Sequence, residues 1–273
     1  MKCLICGCSS ESLFYTKILN KYDCQYYKCS HCGFIQTEKP YWLEEAYSSA
    51  ITCLDIGLIS RNIYMSKIVE RIILNNFNLN GVFLDYAGGY GMFVRIMRDK
   101  GFDFYRQDKF CENIFASSFD LRDTCNDKFE LLTAFEVFEH LYDPVEEVKI
   151  IGSLSDNILF STSLVPANID NLIEWRYLAP ETGQHISFYT LDSLRILLSK
   201  FGYYLYSNGV DLHLATRCKM GYNPFYIPWY SIKYRVFPFV QKVYDKYFMR
   251  THKIYLKSKI DEDFEYIRNK MHG

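Results

Sequence analysis

Three groups of residues have the types and the spacing that chemistry requires. Cys3-Leu4-Ile5-Cys6-Gly7 and Cys29-Ser30-His31-Cys32-Gly33 repeat one turn, C-x-x-C-G. Two thiolates at this spacing grip one ion from a tight knuckle, and the glycine that follows permits a positive φ. Two knuckles make a closed set of four thiolates for a structural zinc ion, with Cys8, Cys24 and His31 as secondary candidates. In the second group, Glu136, Glu139 and His140 fall at i, i+3 and i+4, so a helical turn places them on one face. Histidine titrates near neutrality, which makes His140 and the downstream His185 natural bases. The third group is a glycine-rich turn, Asp85-Tyr86-Ala87-Gly88-Gly89-Tyr90-Gly91, with Asp108 some twenty residues further on.

The elements around these groups must position them. Val82–Asp85 reads as a short apolar strand, and Met92–Lys100 is amphipathic at helical spacing and stops at Gly101. Strand, glycine-rich turn and helix open a nucleotide-binding α/β unit, in which bare backbone lets a ligand approach the crevice. Asp108 follows the next strand, Phe104–Gln107, where a carboxylate can accept hydrogen bonds from both hydroxyls of a ribose. A nicotinamide or flavin remains open at this point. Further strands are predicted at Phe129–Phe135, Asn157–Thr162, Tyr203–Ser207 and Val210–Thr216, with helices at Val145–Ser153 and Leu191–Lys200. The exit of the Phe129–Phe135 strand then lies at the carboxyl edge of the sheet, where this fold binds its ligands.

Upstream, Ser12–Ile18 and Tyr22–Lys28 read as ribbon strands between the knuckles. Residues 40–80 read as helical, with Pro40 near a first turn and Ile63, Ile68, Val69, Ile72 and Ile73 forming an apolar face. The predicted organisation is a zinc ribbon over 1–39, an α/β domain with leading helices over 40–216, and a basic aromatic extension over 217–273. A chain of 273 residues suffices for one catalytic domain with such additions. Aromatic residues reach 18%, so aromatic packing must carry much of the core. The net charge of −1 argues against a polyanionic partner for the chain as a whole. Residues 217–273 nonetheless carry 12 Lys/Arg against 5 Asp/Glu, with Trp229, Tyr230, Tyr234, Phe237 and Phe239 among Lys233, Arg235, Lys242 and Lys246. RNA binding, a membrane-surface or glycosyltransferase contact, and plain helical packing with a solvated basic face all fit that segment. No run approaches the ~18 apolar residues of a membrane span, and the N-terminus lacks the apolar core of a signal peptide. Paired C-x-x-C turns in such a chain point to metal and a reducing cytoplasm.

The turn D-x-A-x-G-x-G, with its acid closing the strand, resembles motif I of class I S-adenosylmethionine-dependent methyltransferases, E/D-x-G-x-G-x-G. Ala87 stands where that family usually has glycine. The resemblance runs over about residues 1–216 and is strongest at 108–116, 133–141 and 179–188. A zinc ribbon joined to such a core is similar to bacterial sugar methyltransferases of surface-polysaccharide and antibiotic-sugar pathways. The resemblance implies a Rossmann-like, doubly wound, mostly parallel seven-stranded sheet. It implies S-adenosylmethionine held by Asp85, Ala87, Gly88, Gly89, Gly91, Asp108, Lys109 and Phe135, and an acceptor faced by Trp175, Tyr177 and Tyr189. Catalysis falls to His140, His185 and Glu136, while Tyr47, Arg61 and Asn62 would close over the cofactor or bind a substrate phosphate. E-x-x-E-H with a later histidine also resembles small-RNA 2′-O-methyltransferases, and alone it resembles ubiquinone-pathway O-methyltransferases. In the small-RNA family these residues hold a divalent cation, which here implies Glu136, Glu139, His140 and His185 as ligands to Mg or Mn. The implied reaction is O-methylation of a sugar hydroxyl on a nucleotide-activated sugar or a glycan. Sugar C-methylation, whose enzymes carry a longer domain after the core, and RNA 2′-O-methylation rank behind it.

Overall fold

The computed structural model describes residues 1–48, 55–167, 172–226 and 256–272. An N-terminal ribbon of β1 (Ser10–Ile18), β2 (Tyr22–Cys29) and β3 (Ile35–Thr37) is antiparallel throughout. A short α1 (Leu43–Ala46) and a long α2 (Leu58–Asn76) lead into the core. Ile63 is exposed on α2, and Met65, Val69, Ile72 and Ile73 form its buried stripe, which corrects the expected face by one position at its start.

The core alternates β4 (Val82–Tyr86), α3 (Met92–Asp99), β5 (Asp103–Gln107), β6 (Leu131–Ala134), α4 (Pro144–Leu154) and β7 (Asn157–Ser161). After a long connection come β8 (Ser187–Phe188), α5 (Leu191–Ser199), β9 (Tyr204–Ser207) and β10 (Leu212–Thr216), and later α6 (Ile260–His272). The main sheet has the order β5-β4-β6-β7-β10-β9, with β4 to β7 parallel and β10 antiparallel to both neighbours. Strands covered on both faces need apolar residues on both, and β4 shows it: Leu84 and Tyr86 pack toward α4 and α5, Phe83 toward α2 and α3. This is the Rossmann-like class I methyltransferase fold.

The expected seventh strand is missing among the described residues. Beyond β5 the sheet continues only as one parallel bridge, Arg106 to Asp120. Asp120 and Asp123 cap each other around a 3-10 turn at Leu121–Asp123, which ends the pairing after a single residue. Helix α6 covers that edge instead, with Tyr266 against Phe119 at 5.8 Å and Lys270 bonded to Asp123 at 2.8 Å. Of the basic extension, residues 227–255 with Trp229, Lys233 and Arg235 lie outside the described residues. No helix among the described residues is long and apolar enough to cross a membrane.

The ribbon and the core share a sheet. β3 pairs with β8 through Ile35–Phe188 and Gln36–Ser187, and Cys3, Cys29, Cys32 and Phe34 pack into the same cluster as Tyr189 and Leu194. The ribbon therefore braces the segment that carries His185.

Candidate active site

A cavity of about 750 Å³ opens at the carboxyl edge of β4, β5 and β6. Asp85, Ala87, Gly88, Gly89, Asp108, Lys109 and Phe135 line it, and so do Tyr47, Arg61 and Asn62. Asp85 is buried at the end of β4 and accepts a hydrogen bond from Thr133 Oγ1 at 2.6 Å. Burial pushes its carboxyl up to about 7. A Cβ on Gly88 would lie 2.6 Å from Asp85 Oδ2, so only glycine lets the loop pass this close to the acid. Ala87 adopts φ +54°, the left-handed region, which for alanine costs on the order of 1–2 kcal/mol. Strain of this kind concentrates at functional loops, and Glu136 carries it as well, at φ +54°. Gly91 does not line the cavity. It starts α3 at φ +85°, and a Cβ there would meet Asn113 Oδ1 at 2.4 Å, so its glycine serves the loop's packing. Asp108 braces the loops, its Oδ2 accepting from Gly89 N at 2.9 Å and its Oδ1 from the amides of Phe110 and Cys111.

Next to the crevice lies the acid and histidine group. The exit of β6 winds into a 3-10 turn over Phe138–His140, and the segment 184–189 is laced to it. Ile186 N donates to Glu139 O, Ser187 Oγ to Leu141 O, and Tyr189 Oη to Phe138 O. This lacing brings His185 beside the turn, with the His140 and His185 rings 4.9 Å apart and edge-on. Ligand atoms of Glu139, His140 and His185 all fall within 4.8 Å of one another. Glu139 is fully buried, and among the described residues neither of its oxygens makes a hydrogen bond of regular geometry, the hydroxyls of Tyr177 and Thr162 being donors close enough to lower its carboxyl slightly. Burial and then Glu136 raise its carboxyl to about 8, while burial lowers His140 to about 3 and also lowers His185. His140 Nδ1 faces Gln184 O at 3.1 Å and Tyr47 Oη at 3.0 Å, and His185 Nδ1 faces Tyr177 O at 2.6 Å. A carbonyl only accepts, so both Nδ1 atoms carry the hydrogen and both Nε2 atoms keep a free lone pair.

Several expected residues stand elsewhere. Glu136 lines the cavity but lies outside the group of three, because its Oε1 accepts from Ser161 Oγ at 2.8 Å. Tyr189 is fully buried in the core, Trp175 packs on the ribbon cluster with Phe188, and Tyr177 sits behind His185; none of the three lines the cavity. Trp175 and Tyr177 pack instead against the cluster at the joint between ribbon and core. Thr182 and Gln184 from the same connection do reach the cavity, as do Phe110 and Tyr142, and no spacing in the sequence marks them.

At the knuckles, Cys3, Cys6, Cys29 and Cys32 gather as the spacing predicts, and Cys8, Cys24 and His31 stay outside the group. Their Sγ atoms lie 3.6 Å (Cys3–Cys32), 3.4 Å (Cys6–Cys29) and 3.6 Å (Cys6–Cys32) apart. A tetrahedron with zinc–sulfur bonds of about 2.3 Å has edges of about 3.8 Å. The hydrogen bond from Cys32 holds Cys3 down at about 5, while burial pushes Cys6 up to about 12. Four thiols this close therefore do not all ionise without a cation.

The family model described as "Methyltransferase domain" matches residues 60–208, from α2 through β9. The chain belongs to the methyltransferase-domain family. The glycine loop and Asp108 both fall inside the matched residues. Among solved structures it is similar to CalO1, a methyltransferase in calicheamicin biosynthesis, at 14% identity and a TM-score of 0.38, over 65% of this chain and 60% of that one. For OxaC in complex with SAH and oxaline the figures are 16% and 0.40, over 55% and 45%. For the magnesium protoporphyrin IX methyltransferase of Synechocystis PCC 6803 they are 12% and 0.40, over 65% and 95%. The chain thus spans less than two thirds of the length of CalO1 and of OxaC. No protein with a curated description matches it.

Proposed function

We propose that this methyltransferase acts on a hydroxyl of a sugar, on a nucleotide-activated sugar or a surface glycan, and that Glu139, His140 and His185 hold a divalent cation for the reaction. The observation that carries the proposal is Glu139, a buried carboxyl group with no hydrogen bond of regular geometry among the described residues, whose oxygens lie within 4.8 Å of two imidazoles. A buried carboxylic group left unpaired is costly, and a cation removes that cost. The carbonyl contacts of the imidazoles support it too, since ligating histidines commonly give their other N–H to a carbonyl, as His140 and His185 do here. Two imidazoles and one carboxylate suit Mn or Fe as well as Mg.

S-Adenosylmethionine supplies an electrophilic methyl group, and a cation in this position would supply positive charge that acidifies an acceptor hydroxyl. The chain's own part is placement. Asp85, Gly88, Gly89 and Asp108 form the cofactor side of the crevice, and the cation ligands lie on the wall next to it. Tyr47, stacked on Phe110 at 5.8 Å, and Tyr142 offer aromatic faces of the kind that pack on sugar rings. In the same reading the four knuckle thiolates hold one structural zinc ion, which braces the ribbon against β8, and the protein works in the reducing cytoplasm. The basic aromatic residues of 217–273 favour a second acceptor class, RNA ribose hydroxyls, over a neutral small molecule, and also suit a membrane or glycosyltransferase contact.

Turnover of S-adenosylmethionine by the purified protein, with sugar nucleotides, glycans and RNA offered separately, tests the acceptor class. Chelation is expected to abolish the reaction and Mn or Mg to restore it. His140→Ala and His185→Ala are each expected to lose on the order of 10²-fold in turnover while still binding S-adenosylhomocysteine. Full activity after chelation would remove the cation from the reading and leave a histidine as the base. The rate would then fall on acidification, at a pH below the ordinary histidine range because burial lowers both groups.

A further inference from the structure

Arg106 sits inside β5 with only 4% of its surface exposed. A buried guanidinium must have its donors used, and two of its three side-chain bonds go to loops that line the crevice. Nε donates to Asp120 Oδ1 at 2.7 Å, which pairs the charge. Nη1 donates to the carbonyl of Gly89, at the tip of the glycine loop, and to the carbonyl of Cys111 at 3.0 Å, in the turn after Asp108. The amide of the same Gly89 donates to Asp108 Oδ2. Both ends of that one peptide residue are thus tied to the β5 edge.

Packing does not hold the loop tip. Among the described residues no heavy atom comes within 4 Å of where a Cβ on Gly89 would be, and its φ is +55°. A glycine with open space around it and both φ hands available loses order readily, so hydrogen bonds must fix its conformation. Asp120 carries the tie further. Its Oδ1 also accepts from Asn113 Nδ2 at 3.1 Å, and Asn113 is the side chain against which Gly91 packs.

We infer that Arg106 is a positioning residue for the cofactor: its guanidinium locks the glycine loop and the Asp108 turn into one preformed crevice. The inference rests on the reading that this crevice takes S-adenosylmethionine. Arg106 reaches the cofactor only through the two loops, so its loss changes how often the crevice is formed and leaves the chemistry at the histidines alone. A crevice formed only part of the time weakens binding by that fraction.

The test is calorimetry with S-adenosylhomocysteine together with steady-state kinetics on the whole chain. Arg106→Met keeps the volume and removes the donors. It is expected to raise the Kd roughly tenfold or more, the size of a lost charge-assisted hydrogen bond. KM for S-adenosylmethionine should rise in step while kcat at saturation stays close to wild type. Arg106→Met/Asp120→Asn removes the stranded carboxylate and should keep the loss. Arg98→Met, an equally buried arginine bonded to Asp263 and Asp103, should lower thermal stability and leave the Kd unchanged. Arg106→Lys retains the charge opposite Asp120 but one donor group, so an intermediate Kd is expected; it carries the test if Arg106→Met does not fold. Wild-type affinity in Arg106→Lys and Arg106→Met, or full recovery in the double variant, would overturn the inference. Failure of the wild-type protein to bind S-adenosylhomocysteine would overturn the cofactor reading instead.

Discussion

Asp85 closes β4 in nearly complete burial, and its carboxyl titrates at about 7 instead of the ordinary 3.8. A carboxyl with a raised folded pKa favours folding fully below the unfolded value, and that contribution is lost as pH rises toward the folded value. The window here is about pH 4 to 7. Asp85→Asn removes the titration, so its melting temperature without ligand is expected to exceed wild type by a few degrees at pH 8. Roughly 1 kcal/mol gives about 2–4 °C in a domain of this size. The gap should close as the pH approaches 4, and thermal melts from pH 4 to 8 would show it; a gap independent of pH would mean that the acid is not held protonated. The residue thus carries a stability cost at neutral pH at the spot where the loop meets the crevice, as functional sites commonly do.

At the scale of elements, the two knuckles and β8 form one device. The thiolate group fixes the ends of β1 to β3, β3 pairs with β8, and the residues before β8 present His185 to the turn after β6. Cys29→Ser is expected to take bound zinc from about one equivalent to near none, because a closed structural site needs its full ligand set. It should also lower the melting temperature and, through β8, turnover. Elemental analysis of protein purified without chelator, beside a thermal melt, checks this. A full equivalent of zinc and wild-type stability in the variant would show that the knuckles serve another purpose.

At the scale of the molecule, the far end of the chain seals the sheet edge. Arg98 on α3 is almost wholly buried and forks onto Asp263 of α6, with Nε and Nη2 bonded at 2.8 and 2.7 Å. It also stacks over Phe119, 3.7 Å from the ring centre. Stranding one charge of a buried pair costs about 3–5 kcal/mol, and because Arg98 keeps Asp103 at 2.7 Å the lower end applies here. Asp263→Ala is therefore expected to lower the melting temperature by roughly 10 °C. Arg98→Met/Asp263→Leu should be milder than Asp263→Ala, since both buried members of the pair are gone and Asp103, which loses Arg98, is partly exposed to water. Melts of the three proteins check it, and equal losses would mean that packing of α6, and not the ion pair, secures the edge.

By itself the sequence determined the parts that depend on local pattern. Paired C-x-x-C-G turns, a strand that passes into D-x-A-x-G-x-G, and alternating apolar runs mark the knuckles, the crevice and the core order, because spacing along the chain fixes which residues share a turn or a face. The tertiary structure decided what depends on contacts between distant segments. It replaced the seventh strand by a single bridge and a covering helix, since Asp120 and Asp123 cap each other where pairing would continue. It moved Tyr189 from the acceptor wall into the core and left Trp175 half-buried against the ribbon cluster. It drew Glu136 away to Ser161 and left Glu139 with the two histidines. A charge in the middle of a buried strand was the one sign of Arg106 in the sequence, and only the fold shows the two carbonyls it holds. Which groups a buried charge meets is set by the packing of several segments at once, and no local spacing encodes it.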